Sequence, residues 1–208
     1  MKKIMALLGV VLLAACAPRV TMPPMPENAR MAVAAPVLPQ ADWELLAGVL
    51  PEEKVVMRPE DRAALTRILL EEAAKRPRPV VTPQAVAGCG ERVLAQSTDG
   101  RHVSAVRYWQ EVGRCAEADF VLVPFVLLWE DRIGGEWGVD RPAHVILDLY
   151  VVETASGAVR RFHYEEEQRG LVENLFLAGR FARRQGRWLS AVELAREAVA
   201  QGFRELGL

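Results

Sequence analysis

The sequence has few of the residues that commonly carry catalysis or bind metals. It contains only three histidines and three cysteines among 208 residues. It has no G-x-S-x-G motif, which would present a nucleophilic serine on a strand-to-helix turn. Gly134 and Gly135 are not followed by the lysine and helix of a phosphate-binding loop. These absences argue against the common serine hydrolases and nucleotide-binding enzymes, and they indicate no cofactor and no small-molecule substrate.

Neither sign of charge is in excess. The formal net charge is −1 with 25% charged residues, so the composition does not indicate nucleic acid or another polyanion as a partner. An apolar run from Ile4 to Ala15 is interrupted only by Gly9. As a helix it would rise about 18 Å, which is too short for a hydrocarbon core of roughly 30 Å. The run therefore indicates an export signal and not a membrane span.

The end of this run indicates lipid attachment. Met1, Lys2 and Lys3 form a positive start, and Leu13-Ala14-Ala15-Cys16 has the pattern of a lipobox. We therefore expect residues 1–15 to be a signal peptide, with cleavage before Cys16 and acylation of its thiol. Two or more acyl chains make membrane attachment stable. The alternative is an ordinary secretory leader with an incidental cysteine.

The residues after the cysteine predict a location and a spacer. In the bacterial lipoprotein class, Asp after the lipidated cysteine favours the inner membrane; this chain has Ala17 there, which predicts the periplasmic face of the outer membrane. Residues 16–29 include four prolines and few large apolar side chains, so they form an extended tether. Residues 30–208 are then a single periplasmic α/β domain.

Cys89 and Cys115 remain in the exported domain. An oxidising compartment favours a disulfide between them where the geometry allows it. Two separately buried thiols are the alternative.

Apolar periodicity predicts the elements of the domain. Helical spacing favours helices over 59–75, from Thr82-Pro83 onward, over 103–116, over 174–184 and from a capping box at Ser190-Ala191-Val192-Glu193 to the end. Short or long apolar runs predict strands at 30–37, 79–81, 119–129, 143–153 and 159–168. Residues 39–58 show no clear pattern. Pro124 removes one ladder hydrogen bond from its strand, which predicts a bulge or exposed edge there. The fold class is α+β (α/β-like): a mixed sheet of about five strands, in the order β-α-β-α-β-β-β-α, with helices packed on it.

Two strands carry a family resemblance. Met31–Val37 fits the first strand, and ADFVLVPFV at 118–126 fits the strand after the second helix, of a group of periplasmic lipoprotein domains. The chain resembles this group, which includes the curli-secretion lipoprotein CsgG, the penicillin-binding-protein activator LpoB and the TolB N-terminal domain. The resemblance spans about residues 30–208 and rests on core patterns. It implies a non-enzymatic envelope domain that binds a partner protein, or an oligomeric subunit of a secretion or surface-assembly complex.

A different class of function would use the histidines. His144 and His163 lie on strands that should pair, so an envelope hydrolase or metal-binding protein could use them with Asp148 or Glu165 as a further ligand. Histidines that are only solvated or hydrogen-bonded are the alternative, and we assign no catalytic or metal-binding residue. Asp148 lies within an apolar strand and needs a partner such as Arg161 or His163.

Two segments are candidates for partner binding. The first contains four arginines without an acid, together with a tryptophan: Arg180, Arg183, Arg184, Arg187 and Trp188. Such a patch suits carboxylates, phosphates or an interface, although a solvated basic face has the same pattern. The second is the turn at 129–141, where Trp137 either faces a partner or folds over the edge of the sheet.

Overall fold

The computed structural model describes residues 25–96, 104–168 and 187–208. The predicted signal peptide, Cys16, most of the tether and the predicted helix at 174–184 lie outside these ranges. Seven strands occur within the described residues: β1 (Met31–Val33), β2 (Val80–Val81), β3 (Phe120–Glu130), β4 (Ile133–Gly134), β5 (Val139–Arg141), β6 (His144–Glu153) and β7 (Val159–Glu167). The described helices are α1 (Pro59–Ala73), α2 (Pro83–Gln96), α3 (Ala105–Cys115) and α4 (Ala191–Leu206), with a short 3-10 turn at Asp42–Glu44.

Five strands form one mixed sheet in the order β2-β1-β3-β6-β7. β1 runs parallel to β2 and β3, while β3, β6 and β7 form an antiparallel meander. The predicted α+β class and five-stranded mixed sheet are thus confirmed. The element order differs in two places: two helices, α2 and α3, stand between β2 and β3, and the small β4–β5 hairpin stands between β3 and β6.

The sheet has a helical layer on each face. α1 and α4 pack against one face of the sheet. The even-numbered residues of β3 and the odd-numbered residues of β6, including Leu122 and Leu147, lie on that face. α2 and α3 cover part of the other face, where Val121, Val123 and Tyr150 are buried. β3 and β6 are therefore apolar on both faces, as expected for strands that are covered on both sides.

Pro124 lies inside the sheet and not at a bulge. It pairs in register with Leu149 of β6, and its carbonyl accepts a hydrogen bond from Val37 N at 2.8 Å. Since the amide and carbonyl of a strand residue point the same way, the missing N–H of Pro124 faces the gap between the end of β1 and Val37. The bulge occurs further along, between Val126 and Leu128. Of the two predicted alternatives, the bulge is wrong at this position, whereas the locally exposed edge is found, because β1 stops before Pro124.

The predicted strand at 30–37 is shorter in the structure. β1 ends at Val33, and Val37 returns to β3 only as an isolated bridge to Phe125. Pro36 lies in this interruption. A proline cannot donate to a ladder, which explains why the segment does not run as one strand.

A disulfide joins α2 to the end of α3. Cys89 and Cys115 are bonded, with their Cα atoms 5.6 Å apart. Cys89 is buried beside Val86 and Val112. The bond therefore ties together the two helices that cover one face of the sheet.

α4 begins and packs as its sequence predicts. Ser190 Oγ accepts from Glu193 N, and Glu193 Oε2 accepts from Ser190 N at 2.8 Å, which completes the capping box. Ala195, Val199, Phe203 and Leu206 are buried along one side of the helix, and Val192 packs at its margin.

Candidate interaction surface

The structure brings two of the sequence-predicted segments together. The β4–β5 hairpin carries Trp137, and its Glu136 contacts the side chain of Arg187 and the backbone amide of Trp188, just before α4. Arg180, Arg183 and Arg184 lie outside the described residues, so the structure says nothing of the rest of the arginine segment. We call the surface formed by Ile133, Glu136, Trp137 and Arg187 the hairpin surface.

Tight backbone packing sets the shape of this hairpin. Gly134 has a φ of +111°, and a Cβ there would lie 2.8 Å from the carbonyl oxygen of Gly138. Gly135 N donates to the same carbonyl at 2.8 Å. Only glycine fits the backbone at Gly134, because an L side chain would be both strained and in collision. The turn therefore has a defined form, with Trp137 at its tip.

Trp137 and Ile133 are exposed apolar side chains on this hairpin. Trp137 is 74% exposed and Ile133 is 48% exposed. Trp137 therefore does not fold over the edge of the sheet. A rigidly held, exposed tryptophan has the character of an interface anchor, since its large amphipathic ring orders at little entropic cost.

Polar contacts fix the turn of the hairpin. The backbone carbonyl of Glu136 accepts from Trp188 N at 2.8 Å, and its carboxylate lies 3.2 Å from Arg187 Nη1. Arg187 Nη2 also lies 3.7 Å from Glu193 Oε1, and Arg132 Nη1 donates to the Trp188 carbonyl. Arg187 thus serves a structural role here, because its charge is offset by Glu136 of the hairpin and by Glu193 in the first turn of α4.

Asp148 is the centre of a second polar cluster, on the sheet face opposite α1 and α4. Its side chain is 1% exposed. Arg161 Nε and Nη2 donate to its two oxygens at 3.0 and 3.1 Å, and His163 Nδ1 lies 2.7 Å from Oδ1. Tyr150 Oη lies 3.1 Å from both Asp148 Oδ2 and the Ala47 carbonyl. Burial and the neighbouring carboxylate raise the pKa of the Tyr150 hydroxyl well above its usual range.

This cluster binds the segment around Ala47 to the sheet. Asp148 already has a bidentate arginine partner, and Tyr150 and His163 take up its remaining acceptor capacity. A carboxylate that is so fully engaged has no open position for a substrate or a metal ion. Its contacts indicate a structural role.

The predicted proximity of His144 and His163 is limited by the register. His163 stands opposite Asp148, whereas His144 stands opposite Glu167, four positions along the same ladder. Both rings lie near Glu165, at 3.9 Å for His144 and 3.7 Å for His163, and His163 is also held by Asp148 at 2.7 Å. Across the described ranges, no group of three or more His, Cys, Asp or Glu side chains is arranged to hold a metal ion.

An apolar cavity opens beside α3 on the same face as the disulfide. Its volume is about 280 Å³. The lining residues come from four separate segments and are mostly aromatic or aliphatic: Val37, Leu38, Trp43, Glu44, Leu94, Ala105, Tyr108, Trp109 and Phe125. Sequence reasoning missed this site because no single segment carries its pattern. Residues 39–58, which supply Trp43 and Glu44, have no regular periodicity.

The described helices contain no candidate for a membrane span, judged by length and apolar character together.

Comparison of the sequence with family models and with curated proteins gives no match. Among solved structures, the chain is similar to a single-substitution variant of the PelC dodecamer from Paraburkholderia phytofirmans, with 12% identity, a TM-score of 0.46, and 90% of this chain and 95% of that chain covered. It is also similar to the LpoB C-terminal domain from Salmonella enterica, with 11% identity, a TM-score of 0.39, and 78% and 94% coverage.

A third similar structure is lipoprotein GNA1162 from Neisseria meningitidis, with 16% identity, a TM-score of 0.37, and 76% and 95% coverage. LpoB is thus common to the sequence resemblance and the structural comparison. At these identities and TM-scores, the similarity transfers no partner and no activity to this chain.

Proposed function

We propose that this chain is a lipid-anchored, non-enzymatic interaction domain of the cell envelope. In this proposal, lipid on Cys16 holds it at the periplasmic face of the outer membrane, and the domain binds an envelope protein or another copy of itself. The observation that carries the proposal is the exposed Trp137, held on a hairpin of defined form. The Asp148 cluster, by contrast, has its polar groups engaged within the domain.

The hairpin surface suits contact with a protein. An interface core is typically built on a few aromatic anchors surrounded by polar groups. Here Trp137 and Ile133 supply apolar area. The Arg187–Glu136 ion pair supplies the polar groups, since Glu136 directly precedes Trp137 in the turn.

The lipid anchor has a direct test. Cells expressing the full chain are labelled with radioactive or alkyne-tagged palmitate, and the chain is immunoprecipitated. We expect label in the wild type and none in Cys16→Ser. Equal labelling of both proteins, or cleavage of the leader at another position in the wild type, would refute this part of the proposal.

The contact surface is tested with paired substitutions of exposed apolar residues. Trp137→Ala removes the proposed anchor, and Val56→Ala removes a side chain that is 75% exposed outside the hairpin. Both variants are crosslinked in intact envelopes beside the wild type. We expect the crosslinked species of the wild type to persist in Val56→Ala and to be lost in Trp137→Ala. An unchanged pattern in Trp137→Ala would exclude the hairpin surface.

A further inference from the structure

Over residues 25–96, 104–168 and 187–208, the surface carries two apolar features, one that protrudes and one that is recessed. Trp137 projects from the hairpin with 74% of its surface exposed. The cavity of about 280 Å³ is lined by the aromatic rings of Trp43, Tyr108, Trp109 and Phe125. Trp137 is not among the residues that line it. One protrusion and one recess of matching chemistry therefore lie on different parts of the same molecule.

The cavity has the chemistry of a site for an aromatic side chain. Aromatic rings pack edge to face on other rings, as Tyr108 and Trp109 already do here, with centroids 5.0 Å apart and planes at 74°. Its lining is almost entirely apolar, which suits insertion of a side chain and disfavours a charged ligand.

Glu44 supplies a hydrogen-bond acceptor at this cavity. Its Oε2 accepts from Gln40 N at 2.7 Å, which holds the carboxylate in place and leaves Oε1 as an acceptor. An indole ring has one N–H donor and no acceptor. A recess of aromatic rings with one carboxylate acceptor therefore complements a tryptophan more fully than it does an aliphatic or a phenyl side chain.

We propose that Trp137 of one copy inserts into this cavity of a second copy. This inference rests on the proposed function, since it names the partner of the hairpin surface. Each copy then offers one protrusion and one recess. Because the protrusion and the recess are different surfaces, two assemblies are possible. Two copies can exchange their tryptophans in a dimer, or each copy can insert its tryptophan into the next around a ring.

The first experiment measures self-association of the full chain, purified from envelopes in detergent, by sedimentation velocity. Trp137→Ala removes the protrusion, and Leu94→Arg places a charge at the cavity on a side chain that is 56% exposed. Val56→Arg is the matched control, since it adds the same charge at an exposed site elsewhere. We expect Trp137→Ala and Leu94→Arg each to weaken association at least about tenfold, with Val56→Arg unchanged. Circular dichroism and thermal midpoints verify that all variants are folded.

The second experiment mixes the two defective variants. Trp137→Ala retains an intact recess, and Leu94→Arg retains an intact protrusion. Equal amounts of the two should therefore form a heterodimer more readily than either variant associates with itself. In envelopes, a photo-crosslinking phenylalanine analogue at position 137 should label a peptide from the cavity of a second copy.

Three results would overturn the inference. They are a wild-type chain that stays monomeric, association that survives both substitutions, and a mixture that stays monomeric. If the chain is monomeric but Trp137→Ala still abolishes envelope crosslinks to another protein, the second-copy proposal fails and the proposed function stands.

Discussion

Arg161 holds the buried carboxylate of Asp148 with two parallel hydrogen bonds across neighbouring strands. Nε lies 3.0 Å from Oδ2 and Nη2 lies 3.1 Å from Oδ1. Asp148 is 1% exposed, whereas Arg161 is 37% exposed, so the arginine reaches the acid from the margin of the sheet. Its guanidinium also lies 5.8 Å from the ring centroid of Tyr150. Bidentate geometry and stacking of this kind suit arginine and not lysine.

Removal of this arginine should destabilise the fold. Arg161→Ala leaves Asp148 buried with His163 and Tyr150 as its remaining partners. Breaking a buried pair commonly costs about 3–5 kcal/mol, and we expect the lower end of that range because part of the network survives. The free energy of unfolding in urea measures the loss.

Arg196→Ala is the matched control for this substitution. Arg196 pairs with Glu71 at 2.7 Å, but both side chains are about half exposed. An exposed pair contributes about 0–1 kcal/mol, so this variant should lose little. Equal losses in the two variants would contradict a special role for the Asp148–Arg161 pair.

The disulfide should contribute measurably to stability. It closes a separation of 26 residues, for which chain entropy predicts about 3.5 kcal/mol. The double variant Cys89→Ala/Cys115→Ala should unfold at a lower urea concentration than the oxidised wild type. Its free energy of unfolding should be lower by about 3.5 kcal/mol. Added reductant should lower the stability of the wild type and leave the double variant unchanged. A reductant effect of the same size on both proteins would show that the bond is not its cause.

Two helix glycines should respond in opposite directions to alanine. A Cβ at Gly113 of α3 would lie 2.4 Å from Thr154 Oγ1 and 2.9 Å from Val121 Cγ2. Both neighbours are β-branched and cannot move away cheaply, so Gly113→Ala should cost about 1–3 kcal/mol. Gly88 of α2 has nothing within 4 Å of its added Cβ. Gly88→Ala should therefore stabilise the domain by about 0.5–1 kcal/mol, and thermal unfolding of both variants compares them directly.

The capping box should make stability depend on pH in the acidic range. Burial raises the pKa of Glu193, but hydrogen bonds from Ser190 and the charges of Arg187 and Arg132 outweigh it, so the pKa is lowered below 4.5. Because the pKa of Glu193 is lower in the folded state than in the unfolded state, its carboxylate stabilises the fold at pH values above the unfolded-state pKa. This stabilisation is lost as the pH falls through the folded-state pKa.

The measurement compares the wild type with Glu193→Gln across this range. Their difference in the free energy of unfolding should be largest above about pH 4.5 and should shrink as the pH falls further. Ser190→Ala should lose about 1 kcal/mol at neutral pH, as loss of an N-cap does. A difference that stays constant down to low pH would contradict the assignment.

The sequence predicted some contacts well because they depend on local spacing. In β7, Phe162 and Tyr164 alternate with Arg161 and His163, and the structure buries the first pair and exposes the second, as strand geometry requires. Pro59 and Pro83 each begin a helix, where a proline lacks only an amide that has no partner anyway. The partnership of Asp148 with Arg161 followed from neighbouring strands.

The candidate sites depended on contacts that spacing cannot reveal. Trp137 and Arg187 are fifty residues apart, and their proximity comes from backbone and carboxylate contacts of Glu136. The arginine segment contains no acid in sequence, yet Arg187 meets Glu136 and Glu193 in space. The histidines share a strand pair, but the register, fixed by burial of Leu147 and Leu149, sets them four positions apart.

What the chain determined by itself is the set of elements, because helix caps, prolines and apolar periods act over a few residues. The pattern at Cys16 likewise lies within a single short segment. Only the tertiary structure decided which exposed groups stand together, because the hairpin surface and the aromatic cavity are assembled from segments that meet through packing of the sheet. Trp43 and Phe125 line one recess although nothing in their own neighbourhoods indicates it.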